Sequence, residues 1–150
     1  MYNAIKYEVK DNTAFITLNR PDRFNAFNND QSYELQDALK KVKKDAEVRV
    51  VVLTGEGKAF CSGQDLKDIA GEKRSLSDSL YKRYNPIIRA MRGLPKPIVC
   101  RLNGVAAGAG CSLALACDFV VASEKASLIE VFINVGLVLD SGSSYFLPRV

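Results

Sequence analysis

The chain alternates between short apolar runs and longer segments in which apolar residues recur every three or four positions. Short runs rich in β-branched residues predict strands, and the longer spacing predicts amphipathic helices. The runs that predict strands are residues 5–9, 13–18, 48–55, 98–102 and 119–122, and the first two form a hairpin around Asp11-Asn12. In runs 48–55 and 119–122 nearly every residue is apolar, as in strands buried on both faces. Strands that alternate with helices predict an α/β fold.

Three segments predict helices. The first begins at Asp30 or Ser32, either of which is a good N-cap residue. Its apolar face contains Tyr33, Leu35, Leu39 and Val42. Residues 75–92 predict a second amphipathic helix, interrupted or restarted at Pro86, and residues 111–117 predict a third, apolar helix.

The most informative stretch joins the strand at 98–102 to the helix at 111–117. Residues 104–110 between them are only Gly, Ala and Val. Small residues let a ligand approach the backbone, and the first N–H groups of a helix have no partner inside it. Such a turn can stabilise a developing negative charge. The alternative is that the glycines only allow the helix and the strand to pack closely.

The composition narrows the possible chemistry. With 150 residues, 47% of them hydrophobic, the chain predicts one globular domain, residues 1–150. Histidine is absent, which excludes Ser-His-Asp and Cys-His nucleophilic catalysis and argues against a metal site. The net charge of +4 is modest. We interpret its densest lysine cluster, residues 40–44, as a solvated helix face rather than a site for nucleic acid or an anionic cofactor.

Other features bear on localisation. No apolar run reaches the roughly 18 residues of a membrane span, and the N-terminus lacks the pattern of a signal peptide. The four cysteines lie far apart in apolar surroundings, as reduced core thiols do. They are Cys61, Cys100, Cys111 and Cys117. We therefore expect a cytoplasmic protein with no membrane contact.

A second turn of small residues complements the first. Residues 60–66 follow a predicted buried strand, as residues 107–111 do. Two backbone N–H groups from two such turns can form an oxyanion hole for an enolate or a tetrahedral intermediate.

With both turns in place, the sequence resembles the crotonase, or enoyl-CoA hydratase/isomerase, superfamily. The matching motifs occur in the family's order over nearly the whole chain. They are Leu18-Asn-Arg-Pro, Asn25-Ala26, Val51-Val-Leu-Thr-Gly55, residues 59–66, Lys96-Pro97, residues 103–111, Ala116-Cys-Asp118, Gly136-Leu-Val and Leu147-Pro-Arg149. The resemblance implies a crotonase-like spiral of ββα units, acyl-CoA thioester substrates, and homotrimers or hexamers. It implies no cofactor beyond the coenzyme A of the substrate.

The resemblance also implies roles for individual residues. The backbone N–H groups of Gln64 and Ala109 would form the oxyanion hole; at the second position the family usually has glycine. The residues that would contact coenzyme A or the acyl group are Arg23, Phe24, Ala26, Gln64, Asp65, Leu66, Lys67, Gly108 and Phe132. For Asp65 and Lys67 the alternative is that they only begin a helix.

The departures from the family pattern indicate which reaction to expect. The two glutamates with which hydratases activate water fall on Ser112 and Phe132, and neither side chain can exchange a proton at neutral pH. Asp140 remains, at a position where isomerase-type members have a catalytic aspartate. In an apolar pocket its pKa would rise into the range of a general base. The alternatives are that Asp140 caps a helix beginning near Ser143, or that Glu130 serves a hydratase.

This pattern predicts an isomerase that shifts a double bond, or rearranges a ring epoxide, through a thioester enolate. The context of Asp140 most resembles the phenylacetate-pathway members, which also shift fatty enoyl double bonds. Two rivals are disfavoured: an aspartic protease, because those proteins are all-β, and a haloaryl-CoA dehalogenase, because histidine is absent.

A third rival is a non-catalytic acyl-CoA-binding fragment. The chain ends at Val150, where family members continue with a helical portion that closes the pocket. We therefore expect weak activity or none from residues 1–150 alone.

Overall fold

The computed structural model describes residues 1–69 and 75–149. Residues 70–74 and Val150, the last residue of the predicted domain, lie outside this description. The chain opens with the predicted hairpin, β1 (Ile5–Lys10) and β2 (Thr13–Leu18), which pair antiparallel. Asp11 and Asn12 form its turn with φ of 48° and 58°, a conformation that Asp and Asn tolerate better than other side chains.

Six further strands complete two sheets. They are β3 (Val50–Gly55), β4 (Ala59–Cys61), β5 (Ile98–Leu102), β6 (Val105–Ala107), β7 (Phe119–Ala122) and β8 (Ser127–Ile129). The larger sheet has the order β1-β2-β3-β5-β7, and the smaller has the order β4-β6-β8. Every pairing after the hairpin is parallel. After the hairpin, each successive pair of strands gives its first member to the larger sheet and its second to the smaller sheet, which is a spiral of repeating units.

The helices fill the connections. They are α1 (Asn29–Lys44), α2 (Leu66–Ile69), α3 (Leu76–Ser79), α4 (Asn85–Arg92), α5 (Ala109–Leu115) and α6 (Ser143–Phe146). A π-helical turn, Leu80–Tyr84, joins α3 to α4, and three 3-10 turns span Pro21–Arg23, Val131–Val135 and Leu147–Arg149. Pro86 lies in the first turn of α4, so the prediction of a helix restarted there is confirmed.

The start of α1 differs from the prediction. Its N-cap is Asn28, whose Oδ1 accepts a hydrogen bond from the Gln31 N–H, rather than Asp30 or Ser32. Ser32 is buried and donates its hydroxyl proton back to the Asn28 carbonyl oxygen. At the other end of α1, Lys96 Nζ donates to the carbonyl oxygens of Val42 and Asp45. A cation there satisfies carbonyls that have no partner inside the helix.

The hydrophobic core lies between the larger sheet and the helices α1, α4 and α5. Leu35, Leu53, Ile87, Ile98 and Leu113 are among its buried side chains. All four cysteines are buried with free thiols, as the sequence predicts. No helix in the described part of the chain is long and apolar enough to cross a membrane.

Strand β7 corrects a second prediction. It forms at the predicted position, but its side chains are exposed, with Phe119 and Val121 each at 62%. Strand β7 is the edge of its sheet, and no described element covers it. Strand β3 is only partly buried, since Val50 and Val52 are half-exposed on one face. A β-branched run predicts the strand but not which of its faces will be covered.

Candidate active site

The two turns of small residues meet beside the ends of β4 and β6. Gly63, in the first turn, has φ of 93°, and a Cβ added to it would lie 2.8 Å from the Ala107 carbonyl oxygen and 3.7 Å from the Ala109 nitrogen. Gly110, in the second turn, approaches the Cys61 carbonyl oxygen so closely that an added Cβ would lie 2.2 Å from it. Only glycine permits this contact between the two backbones.

This contact brings the predicted oxyanion donors into one region. Gln64 follows Gly63 and forms an isolated parallel bridge with Phe27, while Ala109 is the first residue of α5. Within the part of the chain that the structure describes, no hydrogen bond is formed by the backbone N–H of Gln64 or of Ala109. Both donors are thus free to bind a ligand oxygen.

A small apolar cavity adjoins Ala109. Its lining residues are Phe27, Tyr84, Ile87, Ile88, Ala109, Leu113 and Ser141. The cavity has a volume of about 10 Å³, which is about enough for one water molecule. An acyl group could enter only if the surrounding side chains moved apart. Tyr84 was not predicted as a site residue, because its only signal in the sequence is that it belongs to the amphipathic segment 75–92.

Asp140 lies beside this cavity, next to its lining residue Ser141. Burial raises the pKa of the Asp140 carboxyl group, and the negative charge of Glu130 raises it further. Among the described residues, its buried Oδ1 has no hydrogen-bond partner. The charge of Asp140 is in turn among the causes that raise the pKa of Tyr84, of which burial is the largest.

The alternative role for Asp140, capping a helix, is wrong. Helix α6 has Gly142 as its N-cap, with no side-chain hydrogen bond. Asp140 contributes only its backbone carbonyl oxygen, which accepts a hydrogen bond from the Ser143 N–H at 2.9 Å. The carboxylate itself is therefore not used by the helix.

A buried polar network lies behind the Asp140 backbone. Ser143 Oγ donates to Glu130 Oε1 at 2.8 Å and lies 2.7 Å from Ser112 Oγ. Glu130 Oε2 is buried and lacks a hydrogen-bond partner among the described residues. Burial, followed by the charge of Glu130, raises the pKa of the Cys111 thiol to about 12, so this thiol stays protonated. Ser112, at the position of one hydratase glutamate, thus belongs to an extended network.

The residues expected to bind coenzyme A form a rim along two hydrogen-bonded segments. The Ser62 N–H donates to the Phe24 carbonyl oxygen at 3.0 Å, and the Phe27 N–H donates to the Gly63 carbonyl oxygen at 2.7 Å. These bonds join residues 23–27 to residues 62–65. The side chains exposed on this rim are Arg23, Phe24, Leu66 and Lys67, whereas Ala26 is buried. The structure therefore places both predicted groups side by side.

Asp65 has a structural task on this rim. Its Oδ1 accepts from the Lys67 N–H at 3.1 Å, at the start of α2, and its Oδ2 accepts from Arg20 Nη2 at 2.9 Å. Arg20 also donates to the Ala26 carbonyl oxygen. Arg20 thus ties the two segments together. This role of Arg20 was not predicted, because Arg20 and Asp65 are 45 positions apart in the sequence.

Gly108 and Phe132 lie together on the other side of Ala109. The Gly108 N–H donates to the Ile129 carbonyl oxygen at 2.9 Å, and the φ of Gly108 is 50°. A Cβ on Gly108 would lie 3.3 Å from Val131 Cγ2 and 3.9 Å from Phe132 Cζ. Buried Phe132 therefore packs near the turn that presents the Ala109 N–H.

Comparison with known proteins identifies relatives of this chain both by sequence and by structure. The chain is 44% identical to a protein of Rhodobacter capsulatus named a probable enoyl-CoA hydratase, over 99% of this chain and 57% of that protein. It is 42% identical to 1,2-epoxyphenylacetyl-CoA isomerase of Escherichia coli, over 100% of this chain and 59% of that protein. It matches the crystal structure of an enoyl-CoA hydratase from Bacillus anthracis with a TM-score of 0.91 at 34% identity, over 98% of this chain and 58% of that one.

The chain thus spans less than three fifths of the length of these relatives. Within that span the spiral of parallel strands is the crotonase fold, as the sequence predicts. Residues 8–150 match the family described as enoyl-CoA hydratase/isomerase. The chain belongs to the enoyl-CoA hydratase/isomerase family.

Proposed function

We propose that this chain carries the catalytic site of an acyl-CoA isomerase that shifts a double bond through a thioester enolate. One observation supports the proposal most strongly. Asp140 has a raised pKa and an unpaired buried oxygen, and it directly precedes Ser141, which lines the same cavity as Ala109; the position of one hydratase glutamate is Ser112. A carboxylate with a raised pKa near an oxyanion hole suits proton transfer without added water.

In the proposed mechanism the thioester carbonyl oxygen accepts hydrogen bonds from the N–H groups of Gln64 and Ala109. Asp140 removes a proton from the carbon that becomes part of the enolate, and the electron pair moves onto the carbonyl oxygen. The protonated Asp140 then returns the proton to another carbon of the conjugated system, and the double bond is formed at its new position. Proton and charge balance without any cofactor. Arg23 and Lys67 on the rim would pair with phosphates of coenzyme A.

The substrate class follows from the same geometry. The cavity wall is apolar apart from Tyr84 and Ser141, so we propose a fatty or aromatic enoyl group, with ring-epoxide rearrangement on phenylacetyl-CoA as a related possibility. The relative in Escherichia coli is named for that reaction.

A hydratase that uses Glu130 is the second candidate. The observation that favours it is the buried Glu130 Oε2, which has no hydrogen-bond partner among the described residues. Against it, Glu130 Oε1 already accepts a hydrogen bond from Ser143.

The deciding experiment measures two reactions on the same sample. Conversion of 3-enoyl-CoA to 2-enoyl-CoA is followed by ultraviolet absorbance, and hydration of 2-enoyl-CoA is followed in parallel, for the chain and for Asp140→Asn and Glu130→Gln. Isomerisation that is lost only in Asp140→Asn supports the proposal. Hydration that is lost only in Glu130→Gln supports the second candidate. If neither reaction occurs while coenzyme A thioesters still bind, the chain is a binding fragment.

We also propose that the whole protein assembles as a homotrimer or hexamer, as the family resemblance implies. The exposed apolar side chains of β7 and of the segment that follows β8 support this proposal, because a subunit interface would cover them. They include Phe119, Val121, Ile133, Val135 and Val138. Light scattering of the purified protein tests this proposal, and a monodisperse monomer would contradict it.

A further inference from the structure

Two consecutive side chains of the π-helical turn Leu80–Tyr84 point into the protein. Arg83 is 1% exposed and Tyr84 is 6% exposed. In an α-helix adjacent side chains diverge by about 100°, so neighbours seldom serve the same buried site. The wider π turn departs from this spacing, and turns of this kind are frequent at functional sites.

Both side chains bind one atom of Gln64. Arg83 Nη2 donates to Gln64 Oε1 at 2.6 Å, and the Tyr84 hydroxyl donates to the same oxygen. The Nε2 group of Gln64 donates to the carbonyl oxygens of Phe27 and Asp65, each at 3.3 Å. The amide of Gln64 is therefore held at both ends.

The remaining contacts of Arg83 and Tyr84 hold the two residues in place. Arg83 Nη1 lies 3.2 Å from Asn29 Oδ1 and 3.4 Å from Asp68 Oδ2. The Tyr84 ring packs edge to face against Phe27 at 5.6 Å and lies 5.3 Å from the Arg83 guanidinium carbon. Burying a guanidinium is costly, and among the described residues Asp68 is the carboxylate that pairs with it, so the hydrogen bond to Gln64 is one of the contacts that offset this cost.

The anchored side chain of Gln64 restricts the orientation of the Gln64 backbone N–H. The N–H of Gln64 belongs to the peptide plane that it shares with Gly63, and the planes of a chain move as units. The Gly63 carbonyl oxygen of that plane accepts a hydrogen bond from the Phe27 N–H at 2.7 Å, so the backbone holds the plane on one side and the Gln64 side chain holds it on the other. An anchor on the Gln64 side chain therefore limits how far its N–H can turn away from the Ala109 N–H.

We propose that Arg83 and Tyr84 are positioning residues that fix Gln64 so that its backbone N–H points at the thioester oxygen. The inference rests on the proposed function, since it concerns the direction of one of the two N–H groups that form the proposed oxyanion hole. Tyr84 has a second effect, because its ring is part of the cavity wall and limits the acyl groups that fit.

The test measures how strongly the site favours an enolate. Acetoacetyl-CoA has no double bond to shift or hydrate, and its enolate absorbs in the near ultraviolet. The full chain, Tyr84→Phe, Arg83→Lys and Gln64→Ala are titrated with acetoacetyl-CoA and with coenzyme A alone. Tyr81→Phe and Arg89→Lys are matched controls, because both side chains are exposed on the same helical segment.

We expect Tyr84→Phe and Arg83→Lys each to lower the bound enolate-to-keto ratio roughly three- to tenfold, as for the loss of one hydrogen bond. Affinity for coenzyme A should stay unchanged, because the rim is untouched. In the Gln64→Ala background, which keeps the backbone N–H but lacks the anchor, Tyr84→Phe should have no further effect. The control variants should match the wild-type chain.

The outcomes separate the two proposals. If the wild-type chain binds acetoacetyl-CoA without favouring its enolate, or does not bind it, the proposed function fails and this inference fails with it. If the wild-type chain favours the enolate and Tyr84→Phe and Arg83→Lys do so equally, only the inference is overturned. An equal loss of affinity for both ligands would reveal a merely structural role. If the Arg83 and Tyr84 variants do not fold, Gln64→Ala alone must show the loss.

Discussion

The hydroxyl oxygens of Ser112 and Ser143 lie 2.7 Å apart, and both side chains are fully buried. Ser143 Oγ donates its single proton to Glu130 Oε1 at 2.8 Å. Ser112 is therefore the donor in the bond between the two serines. The chain of donors thus runs from Ser112 in α5, through Ser143 in α6, to Glu130. It fastens the segment that carries Asp140 to the helix that presents the Ala109 N–H.

The first prediction concerns this fastening. Ser143→Ala removes the donor to Glu130 Oε1 in a buried site. Ser112 Oγ loses its nearest partner and keeps only the carbonyl oxygens of Gly108 and Asp140, at 3.3 and 3.4 Å. We expect the free energy of unfolding to fall by about 1–3 kcal/mol, the usual cost of unsatisfied buried polar groups. Urea unfolding measures it, and Ser144→Ala, at an exposed neighbouring position, is the control. Equal stability of the two variants would contradict this account of the network.

The second prediction concerns pH. Burial raises the pKa of folded Asp140, the Ser141 hydroxyl partly offsets this rise, and the charge of Glu130 adds to it. The folded protein therefore binds this proton more tightly than the unfolded chain does. The contribution of Asp140 to stability is therefore greatest at acid pH and declines as the pH rises from the unfolded pKa of about 3.9 through the raised folded pKa. We expect Asp140→Asn to be more stable than wild type at pH 7 and to lose this advantage below pH about 4.

Activity should depend on pH in the opposite direction. A general base works only when it is deprotonated, so isomerisation should rise with pH through the raised pKa of Asp140. The pair of measurements, unfolding by urea and the initial rate between acid and neutral pH, distinguishes a catalytic carboxylate from a structural one. A rate that does not change with pH across this range, or a less stable Asp140→Asn at pH 7, would contradict the assignment.

The sequence predicted most of the sheet framework but not its surroundings. Alternation and β-branched runs identified β1, β2, β3, β5 and β7, because these features report local preference directly. Strands β4, β6 and β8, which form the smaller sheet, were missed, since each is only three residues long. The exposure of β7 was missed because the covering of a face depends on residues far away in the sequence.

The candidate site likewise has parts that the sequence located and parts that it did not. The turns that hold Gln64 and Ala109 have a local signature of small residues, so the sequence located them. Tyr84 and Arg83 reach Gln64 only because of a π turn, and a period of 3.6 residues cannot reveal this. Arg20 pairs with a residue 45 positions away, and no spacing rule connects them.

The third prediction concerns the contact between the two turns. Gly110→Ala would place a Cβ 2.2 Å from the Cys61 carbonyl oxygen, and a backbone atom in β4 cannot move aside cheaply. We expect a loss of about 2–4 kcal/mol in the free energy of unfolding. Gly93→Ala is the matched control, because Gly93 has φ of −94° and its nearest neighbour, the Arg89 oxygen, would be 3.1 Å away. A loss no larger than that of the control would show that the turns are not closely packed.

The last prediction isolates a single backbone donor. Ala109 is the first residue of α5, a position where proline is tolerated because its N–H would have no partner within the helix. Ala109→Pro therefore removes the proposed oxyanion donor with little effect on the helix, and its Cδ also crowds the place where the oxyanion would lie, whereas Ala109→Gly keeps the donor. If the N–H holds the enolate oxygen, Ala109→Pro should lower kcat for isomerisation by about 10²- to 10³-fold, the usual effect of losing one such donor. Ala109→Gly should stay within a few-fold of the wild-type chain. Circular dichroism and thermal unfolding establish that both variants are folded, and a folded Ala109→Pro variant with wild-type turnover would remove Ala109 from the mechanism.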